Sequence, residues 1–299
     1  MKINNRVDLR LIEAREQIDQ DIWGSSKVYN HSFLCSTHLP YRRLPDSQRT
    51  WSRSSGRVSL QLTAGSLPDG SGGFTEVGLP YGAKSRLLLL HLCSQSVLNR
   101  SPRIDIKDSF TAFARDLGVA INTRSLRDLK DQVARMSCMG MQLAKRHDTY
   151  LEVIQAPVFS KMEADYPRDS RQRILFPNYI EFSHEFYVSL AQHSIPLRKE
   201  AVRGLSHSAR ALDIYVWLAH RAWRVQKPTR IRWTSLCFQF GRPDQDFKGF
   251  KKAFKTALRQ ALYLYPECKC EIMDDEIGGI LLKPSKPPIP FRRDRGLLL

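Results

Sequence analysis

The sequence predicts an α+β chain, mainly helical, in which one helix-turn-helix arrangement occurs twice in tandem. Three observations lead there. A local pattern at residues 85–118 returns at 208–241. Each copy runs into a longer helix bearing Lys or Arg. Each of those helices is followed by two strand-like runs.

The first copy reads Ser85-Arg86-Leu87-Leu88-Leu89-Leu90, then Ile104-Asp105-Ile106, then Ser109 to Leu117 closed by Gly118. The second reads Ser208-Ala209-Arg210-Ala211-Leu212, then Ile231-Arg232-Trp233, then Thr234 to Phe240 closed by Gly241. An apolar helix, a short strand, a short helix, a long basic helix and a hairpin are the parts of a winged helix-turn-helix, with the hairpin as wing. Repetition of that order predicts two such domains side by side.

Residues 1–55 read as an N-terminal extension, partly disordered. Asp8 to Asp21 fits a polar helix with Leu11, Ile12 and Ile18 as a thin apolar stripe, and Pro40 to Gly56 is rich in Arg, Ser and Pro. Residues 56–165 form the first winged-helix domain. Val58 to Leu62 alternates as a strand does, and Ala64 to Gly82 holds six glycines in nineteen residues, hence a loop. Lys84 to Asn99 is helical and Arg103 to Ile106 a short strand. Asp108 is placed to cap a helix that buries Phe110, Phe113 and Leu117, and Gly118 suits a left-handed helix end. Asn122 or Thr123 caps the next helix, where Leu126, Leu129, Val133 and Met136 recur at helical spacing. Gln142 to Lys145 and Tyr150 to Phe159 make the wing around Arg146-His147-Asp148.

Residues 166–283 hold a linker and the second winged-helix domain. Tyr166 to Arg173 is a basic link, Ile174 to Glu181 a strand, and Ser183 to His193 a helix with Phe186, Tyr187 and Leu190 inward. Ser208 to Arg221 is a strong helix and Thr229 to Trp233 a strand. Thr234 caps a short helix, and Asp246 to Tyr265 is the best helix in the chain. Cys268 to Met273 and Gly278 to Leu282 pair about a turn at Asp274-Asp275-Glu276. Residues 284–299 are a basic, proline-rich tail with Arg292, Arg293 and Arg295.

The 299 residues carry 47 Lys and Arg against 30 Asp and Glu, a net +17. That excess favours a polyanionic partner. No apolar run approaches the roughly 18–20 residues that span a bilayer, and the start lacks the apolar stretch of a signal peptide, so no membrane role and a cytoplasmic location are expected. Six cysteines, at 35, 93, 138, 237, 268 and 270, are scattered as buried free thiols would be.

The candidate DNA-binding residues sit on the two long helices. At about 100° per residue, Phe247, Phe250, Phe254, Leu258 and Ala261 share one face. Lys248, Lys252, Lys255 and Arg259 share a flank beside it, with Lys251 at its edge, opposed only by Asp246; Arg242 lies in the preceding turn. A solvated lysine face is the plain alternative, but the recognition slot of a helix-turn-helix puts that surface in a major groove. The first long helix offers Arg124, Arg127, Lys130 and Arg135, with Asp128 and Asp131 among them. Base readout and a protein interface with ion pairs such as Arg127 to Asp131 both remain open there.

Catalytic patterns fail on inspection. Gly78-Leu79-Pro80-Tyr81-Gly82-Ala83-Lys84-Ser85 resembles a phosphate-binding loop, but Ala83 separates glycine from lysine and Pro80 removes a backbone donor. The eight histidines, at 31, 38, 91, 147, 184, 193, 207 and 220, contain no pair flanking one apolar residue of the kind a nicking replicase uses. Cys268-Lys269-Cys270 lacks a second ligand pair for zinc, and Asp274-Asp275-Glu276 reads as a hairpin tip. A non-enzymatic protein without cofactors is expected.

The chain resembles the RepA-type plasmid replication initiators, the group sharing a carboxy-terminal RepA domain, over roughly residues 50–292. The blocks are Gly82-Ala83-Lys84-Ser85-Arg86, Phe176-Pro177-Asn178-Tyr179-Ile180, Phe186-Tyr187-Val188-Ser189-Leu190, His193-Ser194-Ile195-Pro196-Leu197 and Ser208-Ala209-Arg210-Ala211-Leu212-Asp213-Ile214-Tyr215. The resemblance implies a plasmid replication initiator that binds double-stranded DNA at repeated origin sites, promotes origin opening and brings host helicase and primase. It also implies tandem winged helices and a homodimer through the first of them, used to repress the initiator's own promoter. A transcriptional repressor with no replication role is the alternative. No motif assigns the residues that touch host proteins.

Overall fold

A computed structural model describes residues 6–69, 72–106, 112, 114–115, 119–164, 177–273, 275 and 278–290. At its centre stands helix α2 (Gly82–Asn99), in which Leu87 to Leu90, Leu92 and Cys93 are all buried. A helix apolar all round needs neighbours on every side. Here they are strand β1 (Lys27–His31), helix α3 (Thr123–Ser137), helix α4 (His184–His193) and helix α6 (Ala209–Arg221).

The first unit lays α2 and α3 on a four-stranded antiparallel sheet of β2 (Thr50–Ser55), β3 (Val58–Thr63), β7 (Gly140–Arg146) and β8 (Leu151–Pro157), in the order β2-β3-β7-β8. Leu60 opposes Leu143 and Leu62 opposes Met141 across β3 and β7, and all four side chains are buried. The period-2 alternation of the β3 segment is therefore borne out. The glycine-rich segment after it carries a small hairpin, β4 (Ser66–Pro68) with β5 (Phe74–Glu76). Strand β6 (Arg103–Asp105) does not join the hairpin β7–β8. It pairs with β10 (Pro177–Phe182), which also takes β9 (Phe159–Ala164). The reason is geometric: β7 has two hydrogen-bonding edges, and β3 and β8 occupy them. The Asp108 cap, Phe110, Phe113, Leu117, Gly118, the 166–173 link, Ile174 to Phe176, Asp274, Glu276 and Arg292, Arg293 and Arg295 lie outside the described residues.

The second unit follows β11 (Ser194–Arg198) and the short α5 (Lys199–Gly204). It consists of α6, β12 (Thr229–Ile231), α7 (Trp233–Phe240), α8 (Phe247–Tyr263), β13 (Cys270–Met273) and β14 (Gly279–Leu282). Its three strands pair in the order β12-β14-β13. Ser208 caps α6, its hydroxyl accepting from the Ala211 amide at 3.2 Å. Helix α7 starts one residue before the cap expected at Thr234, with Arg232 in the cap position and no side-chain bond there.

Residues 6–55 correct the expectation of a partly disordered extension. Helix α1 (Arg6–Gln20) buries Leu11, Ala14 and Ile18 and packs on α5 and α8. At that crossing a Cβ on Gly204 would come within 2.8 Å of the Ala14 Cβ, so the close approach needs glycine. Strand β1 pairs antiparallel with β11. Arg198, 1% exposed, ends β11 and donates to the carbonyls of Asp21 (2.5 Å), Ile22 (3.1 Å) and Pro288 (2.6 Å). One guanidinium thus clasps both the N-terminal segment and the start of the proline-rich tail, where Ile289 is buried. Neither feature shows in apolar periodicity, because the partners are backbone carbonyls.

The two units meet through a second buried arginine. Arg86 of α2 makes a bidentate pair with Asp213 of α6 (2.7 and 2.8 Å) and donates to the carbonyls of Leu39, Pro40 and Gly82. Burial raises the Asp213 carboxyl above its ordinary value, and Arg86 works against that rise. Removing one partner of such a pair leaves an uncompensated buried charge, so Arg86→Ala is expected to cost about 3–5 kcal/mol. Arg86→Met combined with Asp213→Leu restores most of that loss. Urea unfolding of the two variants measures both, and a double variant as unstable as the single one contradicts the assignment.

Candidate nucleic-acid interface

Helix α8 is held by an aromatic cluster. Phe254 meets Trp233, Phe240 and Phe250 at ring-centroid distances of 5.7, 5.5 and 5.5 Å, and Trp217 of α6 meets Phe240 at 5.4 Å. Such contacts fix the roll of the helix about its axis. Phe250, Phe254, Leu258 and Ala261 are buried as the stripe predicts, whereas Phe247 at the first turn is exposed. The roll turns Lys248, Lys252 and Arg259 outward, and they are exposed. Lys251 and Lys255 are half-buried, their ammonium groups 4.9 Å from the Phe247 ring and 5.7 Å from the Trp233 ring. Arg242 is half-buried and paired to Asp244 at 3.0 Å. Helix α8 contains no Asp or Glu, and no ion pair among the described residues involves Lys248, Lys251, Lys252 or Arg259.

On α3 the acids and bases separate. Asn122 is the cap, its side chain accepting from the Ser125 amide at 2.9 Å. Asp128 receives Lys84 of α2 at 2.9 Å, and Asp131 receives Arg135 at 2.7 Å, not Arg127. Both carboxylates are therefore matched on the flank facing the protein, and Arg124, Arg127 and Lys130 stay exposed. Arg135 leaves the candidate set. It is 6% exposed, bonded to Asp131 and the Leu79 carbonyl, with its guanidinium 5.4 Å from the Tyr81 ring. Its last-turn position bends it back over the helix, where no phosphate reaches it.

The segment from 78 to 85 is committed to internal contacts. The Tyr81 amide donates to Gln132, the Gly82 amide to the Pro40 carbonyl, and Lys84 is paired to Asp128. His31 touches Ser189 at 2.9 Å through Nε2, and its Nδ1 accepts from the Phe33 amide. Nε2 therefore carries the hydrogen and donates to the serine, the reverse of what a serine nucleophile needs. Among the described residues no group of three or more His, Cys, Asp or Glu is placed to hold a metal ion. No helix among them is long and apolar enough to cross a membrane.

Several cations were missed by reading the long helices alone. Arg221, Arg224, Lys227 and Arg230 recur at every third residue after α6, with Arg232 beyond and no acid between. Three-residue spacing across a helix end, a 3₁₀ turn and a strand is not a helical face, so moment-based reading passes over it. Arg53 of β2 was also missed. It donates to the carbonyls of Phe238 (2.9 Å) and Gly241 (2.8 Å), tying the first sheet to the α7–α8 turn.

A family model described as plasmid encoded RepA protein matches residues 79–235. No curated protein matches the sequence. Two crystal structures share the fold. One, of selenomethionine derivatives of domains 2 and 3 of RctB, has a TM-score of 0.54 at 9% identity, covering 85% of this chain and 99% of that one. The other, of RctB domains 2–3 (residues 155–483), has a TM-score of 0.51 at 10% identity, covering 84% and 94%.

Two buried histidines give this core a pH signature. Burial, and after it the nearby His193, lowers His31 to about 3, and burial leads the causes that hold His38 well below the ordinary value. The unfolded chain binds protons at both near pH 6.5 and the folded chain does not. Stability is complete above that pH and lost as pH falls toward 3. Near pH 5 the unfolding free energy should fall by roughly 1.4 kcal/mol per pH unit for each histidine. Urea titrations at pH 7, 6 and 5 read this directly, and a flat profile contradicts it.

Proposed function

The chain belongs to the plasmid-encoded RepA protein family, and from that premise we propose that it is a plasmid replication initiator binding double-stranded DNA at repeated origin sites. The observation that carries the reading is α8: an acid-free helix, locked in roll by aromatic packing, presenting Lys248, Lys252 and Arg259 to solvent. Its surroundings support assignment of the second unit as a winged helix-turn-helix. Strand β12 precedes α7, and β13 and β14 follow α8 in a β12-β14-β13 sheet, so α8 takes the recognition position and β13–β14 the wing. In the first unit α3 would be the recognition helix and β7–β8 the wing, in a sheet completed by β2 and β3 rather than by β6.

Cations on both helices neutralise phosphates and set the register, while a few side chains meet base edges. Origin opening in the cytoplasm of a bacterial host, and recruitment of its helicase and primase, complete the proposal. A homodimer through the first unit is supported by β8, an edge strand that leaves Leu151 and Val153 exposed. Such an edge is a template for pairing with another chain. A repressor without a replication role is the second reading, since one dimeric winged helix is enough to block a promoter.

Footprinting on the DNA flanking the gene separates the two: tandem protected repeats are expected, and a single operator favours the repressor. With about eight phosphates neutralised, log K should fall with log salt at a slope near −7. Lys248→Glu with Lys252→Glu should reduce the magnitude of that slope by about 2 and weaken binding more than tenfold at physiological salt. Unchanged affinity in the double variant removes α8 from the interface.

A further inference from the structure

A trough runs between the β2–β3 turn of the first unit and the end of α6, with β12 and the start of α7 forming its far wall. Two adjoining concavities, of about 960 and 730 Å³, share Ser55, Gly56, Trp217 and Arg221 and so form one continuous depression. Its cations are Arg57, Arg221, Arg224, Lys227, Arg230 and Arg232, and no Asp or Glu is among the described lining residues. Arg57 is paired to Asp148 and Arg230 to Asp275. No ion pair among the described residues satisfies the other four. Arg221 and Arg224 are both exposed, so their guanidiniums are open to a ligand. None of Lys248, Lys252 and Arg259 lines this trough, so it is a separate set of contacts from α8.

We infer that the trough is a binding site for single-stranded DNA, its arginines on the phosphodiester backbone and Phe238 against a base. Shape chooses the single strand over the duplex. A duplex is read by a convex helix or ribbon entering its groove, whereas this surface is concave and walled by both units. The aromatic groups agree. Phe238 is 67% exposed at the α7 wall, and Arg53 holds its backbone carbonyl, so the ring is offered to the trough from an anchored main chain. Arg224, which lines the trough, lies 4.4 Å from the centre of the neighbouring Trp223 ring. A cationic groove with aromatic platforms is how proteins hold single strands without reading sequence. The site deepens the initiator reading, since it would retain the strand released when an origin opens, and it rests on that reading for its biological use alone.

The test uses the full chain and a fluorescent oligothymidylate of about 16 nucleotides, which needs no origin sequence. Arg221→Gln with Arg224→Gln should weaken that binding about tenfold and reduce the magnitude of its salt slope by roughly 1.4. Phe238→Ala should weaken it about tenfold through loss of one stack. Affinity of both variants for the flanking-DNA duplex should stay within about twofold, and Lys248→Glu with Lys252→Glu should show the reverse pattern. Lys227→Glu with Arg232→Glu, on exposed positions, serves as the second probe if the first pair lowers the melting temperature. Failure of the wild-type chain to bind oligothymidylate, unchanged binding by the variants, or equal losses on strand and duplex would each overturn the site. Strand binding through the trough without any duplex footprint would instead keep this site and remove the initiator reading.

Discussion

The geometry of the whole molecule depends on the Arg86–Asp213 pair. It joins α2, the pillar of the first unit, to α6, the first helix of the second, and it does so in the interior. A bidentate guanidinium–carboxylate contact specifies distance and orientation together. The remaining donors of Arg86 reach the Leu39, Pro40 and Gly82 carbonyls, so the connection also fixes the segment that leads into β2. The relative placement of α3 and α8 follows from this joint. Arg53 to the α7–α8 turn and Gln239 to the Ser36 carbonyl (2.9 Å) reinforce it nearer the surface. A flexible linker between units would let each find DNA alone, whereas a buried ionic joint holds them at one fixed spacing.

The same chemistry explains which parts of the fold were legible. Periodicity found α2, α3, α6 and α8, because each buries a stripe or a whole surface of side chains. It also found β3 and the hairpins β7–β8 and β13–β14. It found α1 as well, through Leu11 and Ile18, but failed for the chain after α1 up to residue 55, where the sequence between Pro40 and Gly56 looks like solvated loop. That segment is ordered by its backbone: carbonyls at 21, 22, 36, 39 and 40 receive Arg198, Gln239 and Arg86. A carbonyl has no residue identity, so no composition rule registers it. Strand partners were not legible either: β3 and β8 take the two edges of β7, and β6 pairs with β10 instead.

The family blocks and the candidate site occupy different parts of the molecule. All five blocks lie within residues 79–235, and their key side chains are structural. Arg86 and Asp213 make the joint, Leu197 is buried in β11, and the Tyr215 hydroxyl accepts from the Arg198 amide at 3.2 Å. Helix α8 begins twelve residues past the matched span, at Phe247. The five blocks are therefore a folding signature; of the two helices proposed to meet DNA, α3 lies inside the matched span and α8 outside it. Arg135 shows the converse error. As an arginine on an outward-looking register it seemed a phosphate ligand, but a carboxylate one turn earlier and an aromatic ring beside it took it inward.

Sorting cations by what they face is the step that sequence alone does not permit. Of the chain's 47 Lys and Arg, Arg86, Arg135 and Arg198 are buried and act as bolts on carbonyls and carboxylates, out of reach of a ligand at the surface. Lys84 and Arg53 bridge elements. Among the exposed cations of the described residues, three groups lie close together: the outer faces of α3 and α8, and the trough after α6. The first two are convex and the third is concave. Convex helices suit the major groove of a duplex, and a concave, acid-free trough suits a strand separated from its partner. The proposed duplex and single-strand surfaces share one buried joint, so they are held at a fixed distance from each other, the geometry that the proposed opening of a duplex beside its recognition site calls for.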